Sequence, residues 1–92
     1  MYNFKISGQA KSQINSLLYP SAKDAIIKRI GELQENPFNI SKSTNKPSIG
    51  NYYINCGNKY CVTFNIDEES KSILIIQVVL RPYLYKILIG RI

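Results

Sequence analysis

The stretch from Asn51 to Ile66 admits few folds. Tyr52, Ile54 and Cys56 alternate with Asn51, Tyr53 and Asn55, and Tyr60, Val62, Phe64 and Ile66 alternate with Cys61, Thr63 and Asn65. A period of two marks a strand with one buried face, and Gly57-Asn58-Lys59 separates the two runs. They form an antiparallel hairpin whose register the apolar sets decide. If Cys56 faced Cys61, Tyr53 would share a face with Phe64, and Ile54 with Thr63. Pairing Cys56 with Tyr60, Ile54 with Val62 and Tyr52 with Phe64 keeps one face apolar throughout, and the buried face sets register. Cys56 then points into the core and Cys61 to the opposite, open face, where its thiol is expected to be reactive. No disulfide is expected, in keeping with a reducing compartment.

The flanking segments complete the pattern. After the acidic turn Asp67-Glu68-Glu69-Ser70, Ile73 to Leu80 is apolar on both faces apart from Gln77, as in an interior strand covered by helices on one side. Near the start, Tyr2, Phe4 and Ile6 alternate with Asn3 and Lys5 and predict a short half-buried strand. Ser7 is placed to cap a helix carrying Ala10, Ile14, Leu17 and Leu18, which Tyr19-Pro20 breaks. Ser21 and Asp24 resemble a capping box opening a second helix. Its stripe is Ile26, Ile27, Ile30 and Leu33, opposite Lys28, Glu32 and Glu35, and Asn36-Pro37 stops it. Residues 37–50, with two prolines, two lysines and small polar residues, read as a loop. The expected fold is α+β over residues 1–92: an N-terminal strand, an αα-hairpin, then three or four antiparallel strands in one twisted sheet.

Composition narrows the chemistry. Ninety-two residues allow one core. With no histidine, the usual general base and commonest metal ligand are missing, and two cysteines cannot build a structural zinc site. The five glycines are scattered and form no phosphate loop. Neither a metal nor a cofactor is expected. No apolar run approaches the roughly 18 residues that span a bilayer, and Met1-Tyr-Asn-Phe-Lys-Ile lacks the form of a signal peptide. The simplest expectation is a cytoplasmic protein without a membrane partner. Twelve basic against six acidic residues leave +6, which suits a polyanion or an acidic protein partner, or simply keeps the surface solvated.

The face opposite the helices would carry Tyr53, Asn55, Lys59, Cys61, Thr63 and Gln77. Arg81 shares the parity of Gln77 and Val79, which places it at the strand end on that face. Arg81-Pro82-Tyr83-Leu84-Tyr85-Lys86 follows, and Lys42 and Lys46 lie in the preceding loop. Cations neutralise phosphates and tyrosines stack on unpaired bases, so Lys42, Lys46, Tyr53, Lys59, Tyr83 and Lys86 are candidate RNA-binding residues. The competing reading is that Tyr83 and Tyr85 cover the sheet edge and Arg81 solvates it.

The chain resembles the RelE/ParE superfamily, toxins of type II toxin–antitoxin systems. Leu33-Gln-Glu-Asn36-Pro37 resembles the family's helix stop. Tyr52 to Cys56 and Tyr60 to Phe64 resemble its paired strands, and Val79-Leu80-Arg81-Pro-Tyr-Leu-Tyr85-Lys86 its closing motif. Where the family usually carries arginines and a histidine, this chain has Tyr53, Cys61 and Leu80. The resemblance implies a RelE-like, ribosome-dependent mRNA endonuclease that inhibits translation, with Arg81 and Tyr85 as catalytic residues. RNA cleavage of that kind needs a base for the 2′-hydroxyl, a cation for the developing phosphate charge and an acid for the leaving oxygen. Arg81 suits the second role, and Tyr85 can orient or protonate. The implied partners are an acidic antitoxin, the ribosome and mRNA. Two alternatives stay open: a ParE-like inhibitor of DNA gyrase, or a degenerate member that binds only antitoxin. The antitoxin is expected to cover the tail from Leu88 to Ile92, unless that tail adds an edge strand.

Overall fold

In the computed structural model, which describes residues 1–17 and 19–89, the central hairpin has the register that the alternation demands. β3 (Tyr52–Cys56) and β4 (Tyr60–Asp67) pair Tyr52 with Phe64, Ile54 with Val62 and Cys56 with Tyr60. β4 pairs in turn with β5 (Ser72–Leu80), and β1 (Asn3–Ile6) lies parallel to β5 on its other side. With β2 (Lys42–Ser43) antiparallel to β3, the sheet order is β1-β5-β4-β3-β2.

Two helices, α1 (Gly8–Asn15) and α2 (Pro20–Glu35), cover one face. Ala10, Ile14, Ile26, Ile30 and Leu33 pack there against Ile54, Cys56, Val62, Phe64, Ile73, Ile75 and Val78. Ile75 and Val78 would point to opposite faces of a regular strand. The β4–β5 register shifts between Thr63 and Phe64, so that Thr63 opposes Gln77 while Phe64 opposes Ile75. The bulge absorbs Ile76 and returns Val78 to the helix side. The run Ile73 to Leu80 therefore looks apolar on both faces partly because its parity changes midway.

Local chemistry explains the helix ends. Ser7 caps α1 as expected, its Oγ accepting the N–H of Ala10 at 3.0 Å. α1 stops at Asn15, leaving Leu17 half-buried beyond it; the expected Leu18 lies outside the described residues. The Ser21–Asp24 box does not open α2, which starts two residues earlier than a Ser21 cap would allow. Pro20 occupies its first turn, where a missing N–H costs nothing, and Tyr19 is the cap residue without a side-chain bond. The buried stripe is Ile26, Ile30 and Leu33; Ile27 is 52% exposed, because it sits about 100° round the helix from Ile26.

Residues 37–50 are more ordered than a loop. Pro37 opens a short helix, α3 (Pro37–Ile40), and β2 follows it. The Thr44 hydroxyl then donates to the Gly50 carbonyl at 2.5 Å and accepts the Lys46 N–H at 2.9 Å. Gly50 has φ +120°, and a Cβ there would lie 3.0 Å from the Phe64 nitrogen.

The C-terminal segment is a helix rather than an edge strand. α4 (Arg81–Leu88) folds back over the second face of the sheet. Leu84 is fully buried with Tyr53 and Cys61, and Ile49, Val79 and Leu88 pack around them. That face is therefore not open. Gly90, Arg91 and Ile92, part of the tail expected to meet an antitoxin, lie outside the described residues. Among the described residues, no helix is long and apolar enough to cross a membrane, and no three His, Cys, Asp or Glu side chains group as metal ligands.

Candidate active site

Arg81 stands where β5 gives way to α4, and the turn between β3 and β4 anchors it. Its backbone N–H donates to the Lys59 carbonyl at 2.8 Å. Its guanidinium reaches the Gly57 and Asn58 carbonyls, each at 3.4 Å. One helical turn on, the Tyr85 hydroxyl accepts from Arg81 Nη2 at 3.2 Å and from Nε at 3.4 Å, and the guanidinium carbon lies 5.9 Å from the phenol ring centroid. Residues four apart on a helix share a face, so the pair exists because α4 begins at Arg81. The Tyr85 hydroxyl donates to Asn55 Oδ1 at 3.4 Å, which also accepts the Cys61 thiol at 3.1 Å.

The electrostatics follow from this packing. The Tyr85 hydrogen bond favours the charged form of Arg81, holding its pKa above the ordinary value. Burial pushes the Cys61 thiol up to about 11, only partly offset by the positive charges of Arg81 and Lys42. A thiol held protonated is a poor nucleophile. Burial also raises the Tyr53 phenol, with Tyr85 and Cys61 adding to the effect and Arg81 opposing it.

The expected site residues fall into four groups. Arg81 and Tyr85 meet directly. Lys59 supplies the carbonyl under Arg81 and exposes its own side chain, Tyr83 and Lys86 are exposed on α4, and Lys42 lies opposite Tyr53 in the β2–β3 register. Lys46 belongs to the loop before β3, at the end of that strand away from Arg81. Tyr53 is a correction: only 8% exposed beneath Leu84, it has no ring face free to stack on a base. Cys61 is a second correction, since it is 0% exposed rather than open to reagents. Both errors share one cause, because alternation identifies a face but not the helix that covers it. Asn55, which the alternation shows only as a polar position, joins Tyr85 to Cys61; its register opposite Cys61 is the available signal.

The candidate cations are free of ion pairs among the described residues. Among the described residues the ion pairs are Arg29–Glu32 and Lys71–Glu68, and neither involves Lys42, Lys46, Lys59, Arg81 or Lys86. Asp67, Glu68 and Glu69 occupy the turn at the far end of β5, nine residues from Arg81, or roughly 30 Å of extended strand. The Tyr2 hydroxyl bonds Glu68, and the Tyr2 N–H meets the Gln34 carbonyl, so the last turn of α2 with Glu35 is at that end too. A cation and a phenol with no ion-pair partner among the described residues can bind a phosphodiester, meet charge that develops on it and give a proton to a departing oxygen. Neither supplies an evident base.

The chain matches no protein-family model and no curated protein. Its fold is shared with solved structures. A chain of the RelBE2 toxin–antitoxin complex from Mycobacterium tuberculosis superposes with a TM-score of 0.75 at 22% identity, covering 87% of this chain and 98% of that one. A chain of the intact E. coli RelBE toxin–antitoxin complex gives 0.66 at 16% identity, covering 86% and 95%. The fold is thus RelE-like, as the motif order implied.

Proposed function

We propose that this chain is the toxin of a toxin–antitoxin pair and cleaves messenger RNA on the ribosome. The observation that carries the reading is Arg81 held against Tyr85 with no carboxylate ion-paired to it among the described residues. The RelE-like fold, found in two toxin–antitoxin complexes, supports the toxin part. In the proposed reaction the ribose 2′-oxygen attacks the adjacent phosphorus and the bond to the 5′-oxygen breaks. Arg81 faces the charge gathering on the phosphate oxygens. Tyr85 gives its proton to the departing 5′-oxygen, and the 2′-hydroxyl proton passes to water. With no strong base at hand, the rate rests on alignment, which the ribosome supplies by holding the message in attack geometry. Lys42, Lys59 and Lys86 bind the backbone of the message, with Lys46 and Tyr83 at the margin. A cytoplasmic location follows from a ribosomal target, and the +6 charge suits an acidic antitoxin.

Tyr53, Cys61 and Leu80 favour a second reading, because they stand where the family usually carries arginines and a histidine. A protein inhibitor of DNA gyrase needs no catalytic side chain. Controlled expression of the wild type and Arg81→Ala separates the two. A halt in protein synthesis with cut messages, absent from the variant, supports the nuclease. A DNA-damage response with altered supercoiling supports gyrase. Unaffected growth points to a degenerate member that only binds antitoxin.

A further inference from the structure

The hydrogen bonds behind Arg81 have a fixed direction. A guanidinium has only donors and an amide carbonyl only acceptor sites, so the hydroxyl between them must accept from one and donate to the other. In the free protein Tyr85 accordingly accepts hydrogen bonds from Arg81 and donates one to Asn55 Oδ1, keeping its proton for the departing oxygen. The same oxygen accepts the Cys61 thiol, whose carbon skeleton is fully buried and paired across the strands with Asn55. The backbone of Asn55 is tied down separately, because Arg29 Nε of α2 donates to its carbonyl at 3.0 Å. The Asn55 side chain is thus held from beneath by Cys61, and its backbone from the helix side, while Tyr85 is exposed. Leu84 and Leu88 fix the helix that carries Tyr85, and among the described residues the hydrogen bonds to the Tyr85 hydroxyl are those of Arg81 and Asn55.

We infer that Asn55 is a positioning residue: it holds the Tyr85 hydroxyl against Arg81, in the arrangement in which the pair meets a phosphodiester. This rests on the reading that Arg81 and Tyr85 act on RNA. Asn55 touches neither the reacting atoms nor Arg81 and acts through Tyr85 alone.

The test combines a spectroscopic and a kinetic readout on the full chain. In protein labelled with ¹³C-tyrosine, the Tyr85 ring Cζ resonance, assigned with Tyr85→Phe, reports whether its hydroxyl is hydrogen-bonded. Asn55→Ala is expected to shift that resonance, whereas Lys86→Ala leaves it in place. Message cleavage on ribosomes should fall about tenfold in Asn55→Ala, the scale of one neutral hydrogen bond. Added to Tyr85→Phe, the same substitution should cost nothing further. Asn55→Ser, which keeps a polar group on the strand but is too short to reach Tyr85, replaces the alanine variant should that not fold. An unmoved resonance, or losses that add in the double variant, overturns the proposal. If the wild type cuts no message, the functional reading fails, and the resonance alone still decides whether Asn55 holds Tyr85.

Discussion

The main-chain N–H of Arg81 donates to the carbonyl of Lys59, and that bond joins the first turn of α4 to the β3–β4 turn. It does not depend on the arginine side chain. Arg81→Ala should therefore remove the guanidinium without undocking the helix. Cleavage is expected to fall by about 100-fold or more, the usual cost of losing a group that meets developing charge. An unchanged circular dichroism spectrum with undiminished growth arrest would place the chemistry elsewhere.

Phosphate binding has a countable ionic signature. Each lysine that neutralises a phosphate of single-stranded RNA contributes about 0.7 to the slope of log affinity against log salt. Lys42→Ala, Lys59→Ala and Lys86→Ala should each lower that slope by about this amount, measured by anisotropy of a labelled single strand. Lys46→Ala, at the other end of β3, should lower it less. Slopes unchanged from that of the wild type would remove the lysines from the interface.

Both cysteines should resist a thiol reagent in the native protein and react together in denaturant, since each is buried. The protection of Cys61 comes from Leu84. Leu84→Ala should therefore unmask Cys61 while leaving Cys56 slow. Rapid native labelling at Cys61 would mean that α4 does not rest on the sheet as described.

Desolvation raises the Cys56 thiol to about 12 and the Cys61 thiol to about 11, against an ordinary value of 9.0. A raised folded-state pKa means that the native protein holds its proton where the unfolded chain has released it. That contribution to stability is complete below about pH 9 and is lost as pH climbs through 11 and 12. Each thiol contributes a slope of up to about 1.4 kcal/mol per pH unit within that window. Urea midpoints should fall across it, less steeply in the Cys56→Ala/Cys61→Ala double variant. Identical slopes would show that the tyrosines alone govern the alkaline limit.

Gly50 has φ +120° with the Phe64 backbone against the place of a Cβ. Gly50→Ala should cost about 1–3 kcal/mol, read from the urea midpoint. Gly31, where an added Cβ meets nothing within 4 Å, is the control: Gly31→Ala in mid-helix should stabilise. Equal effects at the two positions would deny the strain.

The hairpin register could be read from residues alone because two alternating runs and a three-residue break allow one solution that keeps Tyr52, Ile54, Cys56, Val62 and Phe64 together. α4 could not. Pro82 disfavours helical backbone at the residue before it, so Arg81 after a strand reads as extended, and Leu84 and Leu88 make too short a stripe to announce a helix. The burial of Tyr53 and Cys61 was hidden with it, since both are covered only once α4 docks. The motif names Arg81 and Tyr85 as candidates, but their contact, and the hydrogen bond from Tyr85 to Asn55, depends on a helical i, i+4 spacing that a strand-like tail would not have.

The acidic β4–β5 turn and Arg81 stand at opposite ends of β5, and that separation of charge contributes an electric dipole moment along the sheet. A polyanion's field therefore exerts a torque before contact and turns Arg81 and Lys59 toward it. Such pre-alignment acts on the encounter and not on the finished complex, so added salt should slow association far more than it speeds release.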